Sequence, residues 1–107
     1  AAMGDREVRA LFSGEALEPL TLRTITDMDT LLCQLAEIRR RGWAMENEEN
    51  AENVCCVGVA VLDRDGRPAY ALSISTPSFR MDEALAARYG ELLLQAKRSI
   101  ERVLRAL

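Results

Sequence analysis

Apolar side chains recur at helical spacing in three stretches of the chain. The first predicts a short helix from Asp5 to Phe12, with Gly14 placed where a helix would stop. The second predicts a stronger helix that opens at Thr26, which stands at capping-box-like spacing from Asp29. These two helices are joined by an irregular connection that contains a proline.

The longest helical stretch lies at the end of the chain. Asp82 is its predicted N-cap, and the helix is expected to reach Leu107 or nearly so. Its apolar residues keep an i, i+3/i+4 rhythm and are Leu85, Tyr89, Leu92, Leu93, Ala96, Ile100, Val103 and Leu104. Such a helix is roughly 35–40 Å long. We expect its far end to pack on a partner.

Between the second and third helices the pattern changes to that of strands. Val54–Leu62 is nearly all apolar and rich in β-branched residues, which predicts a central strand covered on both faces. The turn sequence D-R-D-G at 63–66 joins it to a return strand, Pro68–Ser75. A short extended segment at 43–46 precedes an acidic loop at 47–53. The segments predict a β-hairpin flanked by helices.

Both predicted strands carry small residues on one face. Alternation in the return strand places Ser73 and Ser75 opposite Leu72 and Ile74, and Cys56 shares a small-residue face of the preceding strand. Hydroxyls, a thiol and backbone N–H groups beside such a face suit a small polar ligand. If the apolar strand is covered on both faces, the serines are buried and need partners. The alternative is that both serines face water on a half-exposed sheet.

The acidic loop is a second candidate for chemistry. Together with Glu46, which comes just before the loop, its carboxylates could bind a cation or act as an acid and a base; the cluster is Glu46, Glu48, Glu49 and Glu52. Carboxylates this close in sequence on a polar loop more often mark a solvated loop. Glu46 differs, because it follows apolar residues and is expected to be drawn toward the sheet. The D-R-D-G turn lacks the later ligands of a calcium loop and is explained by the hairpin.

Composition and charge narrow the function classes. The chain has 107 residues, 49% of them hydrophobic, which suits one domain with a single core. It contains 14 Lys+Arg against 17 Asp+Glu and no histidine. The missing histidine removes the commonest general base and metal ligand, which argues against an enzyme and against a metal site. No cofactor is expected either. The acidic balance argues against direct nucleic-acid binding, and the basic run at 39–41 is interpreted as a solvated helix end.

Cysteine usage and the lack of a targeting segment indicate the compartment. Three cysteines without C-x-x-C spacing suit a reducing environment, and the adjacent Cys55 and Cys56 should point to opposite faces of their strand. No apolar stretch approaches the length of a membrane span, and no secretory signal is visible. We therefore expect a soluble protein of the cytoplasm that makes no membrane contact.

Five short motifs follow one another in a recognisable order. They are R-x-x-G-W-A at 39–44, E-E-N at 48–50, the strand that contains Cys56, D-x-D-G-R-P at 63–68 and A-L-S-I-S-T-P at 71–77. In this order and spacing the chain resembles the C-terminal effector-binding domain of IclR-type bacterial transcriptional regulators. The resemblance implies an α/β (α+β) sensor similar to GAF and PAS domains, with an antiparallel sheet, flanking helices and a long C-terminal helix.

The resemblance also implies a ligand and the residues that hold it. The pocket of this family holds a small carboxylate, such as a keto acid, a sugar acid or an aromatic acid. Carried over by position, the effector-binding residues are Glu46, Val54, Cys56, Ser73 and Ser75. Glu46 stands where the family usually has Asp, and its extra methylene is expected to reshape the polar end of the pocket. Cys56, Ser73 and Ser75 agree with the choice made from the strand faces alone.

The resemblance covers nearly the whole chain but only part of the family's domain. We expect residues 1–107 to be the latter part of one effector-binding domain, with the winged helix-turn-helix that contacts operator DNA not present. The intact protein is expected to be a homodimer or tetramer whose DNA binding responds to the effector. An alternative function is a dimerisation or protein-interaction module with a vestigial pocket, motivated by the overlong final helix and by the truncated sheet that the resemblance implies.

Overall fold

A computed structural model describes all residues, 1–107, as a mixed α+β structure. In chain order the elements are α1 (Asp5–Leu11), α2 (Met28–Arg41), β1 (Ala44–Asn47), β2 (Val54–Leu62), β3 (Pro68–Pro77), a 3-10 turn (Ser78–Arg80) and α3 (Glu83–Ala106). The strands form one antiparallel sheet in the order β1-β2-β3. The predicted fold class, with its antiparallel sheet, flanking helices and long C-terminal helix, is confirmed.

The helix starts are set by aspartate side chains. Asp82 caps α3 as predicted, and its carboxylate accepts a hydrogen bond of 2.7 Å from Leu85 N–H. The predicted start of α2 is wrong by one residue, because the N-cap is Asp27 and not Thr26. Asp27 accepts from both the backbone N–H and the hydroxyl of Thr30, at 2.9 and 2.8 Å. A carboxylate that gains two donors is a better cap than the neighbouring hydroxyl.

One face of the sheet forms the core of the molecule with α3. Val57 and Val59 of β2 are 0% and 6% exposed, and they form a cluster with Ala86 and Leu93 of α3. The strand alternation predicted from the sequence is therefore confirmed on this face.

The hairpin turn that follows β2 is held by Asp63, whose carboxylate accepts hydrogen bonds from the N–H groups of residues 65 and 67.

The second face of β2 is open, and the expectation that both faces are covered is wrong for this chain. Cys56, Gly58 and Ala60 are half-buried there, whereas Val57, Val59 and the other odd-numbered positions are buried. The run looks continuously apolar because its second face carries small residues rather than polar ones. Among this chain's elements, α3 packs on the valine face alone.

Trp43 fixes the junction between α2 and the sheet. Arg41 donates to the Trp43 carbonyl at 2.7 Å, and its guanidinium lies 3.9 Å from the centre of the indole ring. On its other side the ring lies against Gly90 of α3, where an added Cβ would come within 2.6 Å of ring atoms. Gly90 is therefore required by close approach and not by backbone conformation.

Arg39 ties the start of the chain to the end of α2. It donates to the carbonyl groups of Ala1 and Met3 at 2.9 and 2.7 Å, and it forms an ion pair with Asp5 at 2.9 Å. The basic run is thus a helix end, as interpreted, but only Arg40 of the three is an exposed side chain paired within its own helix. No helix combines the length and apolar content that a bilayer crossing requires.

Candidate functional site

The five residues predicted to bind an effector lie on the open face of the sheet. The strand register places Glu46 of β1 opposite Cys56 of β2, and Cys56 opposite Ser75 of β3. These three side chains therefore form one row across the sheet, because directly paired residues share a face. The Cys56 Sγ and Ser75 Oγ atoms are 3.1 Å apart, a distance at which either group can donate to the other.

A second row lies next to the first. It contains Ala44, Gly58 and Ser73, so the neighbours of Ser73 in this row are both small residues. Val54 has the same alternation as Cys56 and lies opposite Pro77 at the end of the strand pair. The open face thus offers two hydroxyls, a thiol, a carboxylate and an apolar rim at Val54.

The two serines are exposed in this chain, which corresponds to the second of the two alternatives drawn from the sequence. Cys56 and Glu46 are half-buried, and Val54 is exposed. The expectation of buried serines is wrong because it depended on a cover over both faces of β2. The side chains that converge on this face are two hydroxyls, a thiol and a carboxylate, which are hydrogen-bonding groups suited to holding a small polar ligand.

Glu46 is drawn toward the sheet, as expected, but its carboxylate already has a partner. One carboxylate oxygen accepts from Glu49 N–H at 2.8 Å. Two further carboxylates of the acidic loop do the same: Glu49 accepts from Asn47 N–H at 3.0 Å and Glu48 accepts from Asn53 N–H at 2.8 Å. The loop is thus held by its own carboxylates, and no group of three metal-ligating side chains forms there.

Two threonines missed in the sequence anchor this loop from outside. The hydroxyl of Thr21 donates to the carbonyl of Glu48 at 2.6 Å, and that of Thr24 donates to the carbonyl of Glu49 at 2.5 Å. The only available signal was the spacing of two threonines within a polar connection, which does not identify a distant partner. Through these bonds the segment before α2 is joined to the residue that holds Glu46.

The adjacent cysteines point to opposite faces, as predicted. Cys55 is 1% exposed on the α3 side, and its thiol donates to the side-chain carbonyl of Asn47 at 3.3 Å. Burial raises the pKa of the Cys55 thiol. Cys56 lies on the open face beside Ser75. The two thiols therefore differ in accessibility although they are neighbours in the chain.

A groove of about 550 Å³ begins at the Ser73 end of the open face. Its walls include Ser73, Gly58, Leu35 of α2, and the basic side chains of Arg39 and Lys97. A larger groove of about 690 Å³ lies near Met45 and Cys55, which belong to the opposite face of the sheet. The row of Glu46, Cys56 and Ser75 is outside both grooves, so in this chain the predicted residues share an open surface and not one enclosed cavity.

A family model for the C-terminal domain of the bacterial transcriptional regulator IclR matches residues 1–102 of the chain. The chain belongs to the IclR C-terminal family. The chain is 36% identical over 104 residues to the HTH-type transcriptional regulator XynR of Escherichia coli. The matches are transcriptional regulators and not enzymes, in agreement with the prediction.

Solved structures of IclR relatives share the fold. The C-terminal domain of Escherichia coli KdgR superposes with a TM-score of 0.87 at 34% identity, covering 96% of this chain and 63% of that one. The inducer-binding domain of PobR from Acinetobacter, a double mutant in complex with 3-hydroxybenzoic acid, gives 0.76 at 28% identity over 97% of this chain and 58% of that one. The match with XynR includes 97% of this chain but only 41% of XynR, so the chain spans less than half the length of that relative.

Proposed function

We propose that this IclR C-terminal chain senses a small carboxylate metabolite on the open face of its sheet. The observation that carries the proposal is the convergence of Glu46, Cys56, Ser73 and Ser75 on that face, set by the register of three strands. Hydroxyl groups donate readily to carboxylate oxygens, and the half-buried thiol is a weaker donor beside them. The opposite face carries the packed core, and the groove that borders it contains none of these four side chains.

The charges around the face suggest how a carboxylate ligand lies on it. The carboxylate of Glu46 lies at one end of the open face, where it would repel the carboxylate of a ligand placed beside it. The groove at the other end begins at Ser73 and includes Arg39 and Lys97, which form ion pairs with Asp5 and Glu101, so the carboxylates near that end are paired. We therefore place the ligand carboxylate toward Ser73, with Cys56 of the central strand between it and Glu46.

The PobR domain supports the ligand class. That protein was crystallised with 3-hydroxybenzoic acid, which is a small aromatic carboxylate. A keto acid or a sugar acid would present the same carboxylate to the serines, so the class proposed for this chain is the small carboxylate and not one member of it. Val54, at the edge of the same face, would contact the rest of the ligand.

In the whole regulator the sensing face would act on DNA through other parts of the protein. We propose that this chain forms the latter part of the effector domain and that a winged helix-turn-helix carries operator binding. The regulator would be a homodimer or tetramer, and the effector would shift its DNA affinity by binding one quaternary arrangement more tightly than another.

Calorimetry on the intact regulator tests this proposal. A panel of keto, sugar and aromatic acids is titrated against the wild type and against the variant with Ser73→Ala and Ser75→Ala. We expect a carboxylate that binds the wild type to lose at least about tenfold in affinity in the variant, because two hydrogen bonds to a charged group are removed. Ser99→Ala, on the exposed side of α3, is the matched control. Equal affinity in all three proteins would contradict the proposed site.

A second candidate function is an interaction module, favoured by the exposed apolar side of α3. Leu92 and Val103 are 52% and 61% exposed on that helix. Under this alternative, the variant with Leu92→Ser and Val103→Ser would weaken self-association in sedimentation equilibrium. The variant with Ser73→Ala and Ser75→Ala would leave self-association unchanged. Carboxylate binding by the wild type decides in favour of the sensor.

A further inference from the structure

The central strand β2 has an open edge beyond the end of β1. The pairing of β1 with β2 stops at Gly58, whereas β2 continues to Leu62 with β3 alone as its neighbour. A strand edge of this kind presents unpaired N–H and C=O groups and is a template for pairing with another strand. The backbone groups of Ala60 and Leu62 that a longer β1 would have paired therefore need another partner.

Two side chains of α3 bond to two of those backbone groups. The Lys97 ammonium donates to the Ala60 carbonyl at 2.6 Å, and the Glu101 carboxylate accepts from Leu62 N–H at 2.7 Å. The two side chains are also bonded to each other, at 2.7 Å. They are 21% and 13% exposed, the most buried of the chain's ion pairs. A positively charged donor thus meets a carbonyl, and an acceptor meets an N–H.

The spacing of the two elements explains why one pair of side chains can serve two strand positions. Four helical residues advance by about 6 Å, and two strand residues advance by about 6.6 Å. Lys97 and Glu101 are four apart on α3, and Ala60 and Leu62 are two apart on β2. The pair also continues the buried side of α3, which runs through Gly90.

We propose that Lys97 and Glu101 together replace a missing strand segment, closing the edge of β2 beyond Gly58 and fixing the far half of α3 to the sheet. The edge is then unavailable to a strand from another segment or another chain unless the pair is displaced. The ordinary interpretation of Lys97 and Glu101 is an i, i+4 helix ion pair, which is independent of the backbone. The proposal does not depend on the effector function, because it rests on contacts within the folded chain.

The electrostatics of Glu101 agree with this geometry. Burial alone would raise the pKa of the Glu101 carboxyl, but hydrogen bonds from Lys97 and from Leu62 N–H outweigh burial and hold the pKa below its usual value. Glu101 is thus an ionised acceptor for both groups. A helix ion pair without the strand would lack the second donor.

Exchanging the two residues separates the two interpretations. The variant with Lys97→Glu and Glu101→Lys keeps an ion pair within α3 but places a carboxylate against the Ala60 carbonyl and an ammonium against Leu62 N–H. Amide hydrogen exchange in residues 1–107 reports the result at Leu62. We expect exchange at this amide to be at least about tenfold faster in the exchanged variant, as for a lost hydrogen bond to a charged acceptor. Wild-type protection at Leu62 in the exchanged variant would overturn the proposal.

The matched control is the pair of Glu37 and Arg40, which is exposed and lies within α2. Exchanging those residues should leave the Leu62 amide unchanged. If the Lys97 and Glu101 exchange prevents folding, Glu101→Gln and Glu101→Leu replace it. Gln keeps an acceptor for Leu62 N–H, so its Leu62 protection should remain well above that of the Leu variant. Equal loss of protection in the Gln and Leu variants would show that only the charge matters and would overturn the proposal.

Discussion

The two faces of β2 are built from the same nine residues and do different things. On one face Val57 and Val61 are 0% exposed, and branched side chains fill the space under α3. On the other face Cys56 and Gly58 are half-buried and lie between hydroxyls of β3 and the carboxylate of β1. Alternation lets one strand carry packing on its odd positions and ligand chemistry on its even positions. Substitutions on the two faces should therefore have separable effects.

The largest effect on stability is expected from Val57→Ala on the packed face. The change removes two buried methyl groups and leaves a cavity against α3, so we expect the unfolding free energy to fall by about 2–3 kcal/mol. Urea unfolding followed by circular dichroism measures it. A change below about 0.5 kcal/mol would show that this face is not the core.

A smaller loss is expected from Gly90→Ala, because the added Cβ meets the ring of Trp43. Overpacking of this kind costs about 1–3 kcal/mol, although alanine is the better helix former by about 1 kcal/mol. In a background that carries Trp43→Leu, Gly90→Ala should lower the unfolding free energy by less than it does in the wild type. A double-mutant cycle from thermal unfolding measures this difference. Stabilisation by Gly90→Ala alone would contradict the close approach of ring and helix.

The dependence of the unfolding free energy on acid pH tests the contribution of Glu101, which lies at the edge of the sheet beside β2. The folded-state pKa of Glu101 is lowered, so its contribution to stability is present above the usual glutamate pKa of about 4.3 and is lost as pH falls through the lower folded value. The wild type should therefore lose more unfolding free energy below about pH 4 than Glu101→Gln does. Parallel pH profiles of the two proteins would contradict this role.

The smallest stability change is expected on the open face. Ser75→Ala removes an exposed hydroxyl whose partner is the Cys56 thiol, so we expect a change within about 0.5 kcal/mol. Its effect should appear in ligand affinity instead. A loss as large as that of Val57→Ala would show that both faces carry the fold, and the comparison would then fail.

The periodicity of the sequence predicted the faces but not what covers them. Strand alternation placed Cys56, Ser73 and Ser75 on one face, and the register of the sheet agrees. The cover over the second face was wrongly expected, because small apolar residues resemble a buried surface without requiring one. The bond from Lys97 to Ala60 spans 37 residues, and local spacing carries no information on such a distance.

The helix start at Asp27 and the acidic loop show a similar limit. Both candidate caps of α2 are good ones by residue type, and the choice depends on which side chain reaches two donors at Thr30. Apart from Glu46, the carboxylates of the loop were interpreted as solvated, yet Glu48 and Glu49 accept hydrogen bonds from backbone N–H groups. Glu48 and Asn53 adopt positive φ angles there, a conformation that composition alone does not predict.

Alkylation of individual cysteines in the intact regulator tests the sensing face most directly. Cys56 lies in the proposed site, Cys33 is exposed on α2 and Cys55 is buried, so the chain carries both of its own controls. Rates are measured by peptide mass spectrometry with and without the carboxylate that binds most tightly in calorimetry. We predict that the ligand slows labelling of Cys56 and leaves Cys33 unchanged. An unchanged rate at Cys56 under saturating ligand would contradict the account.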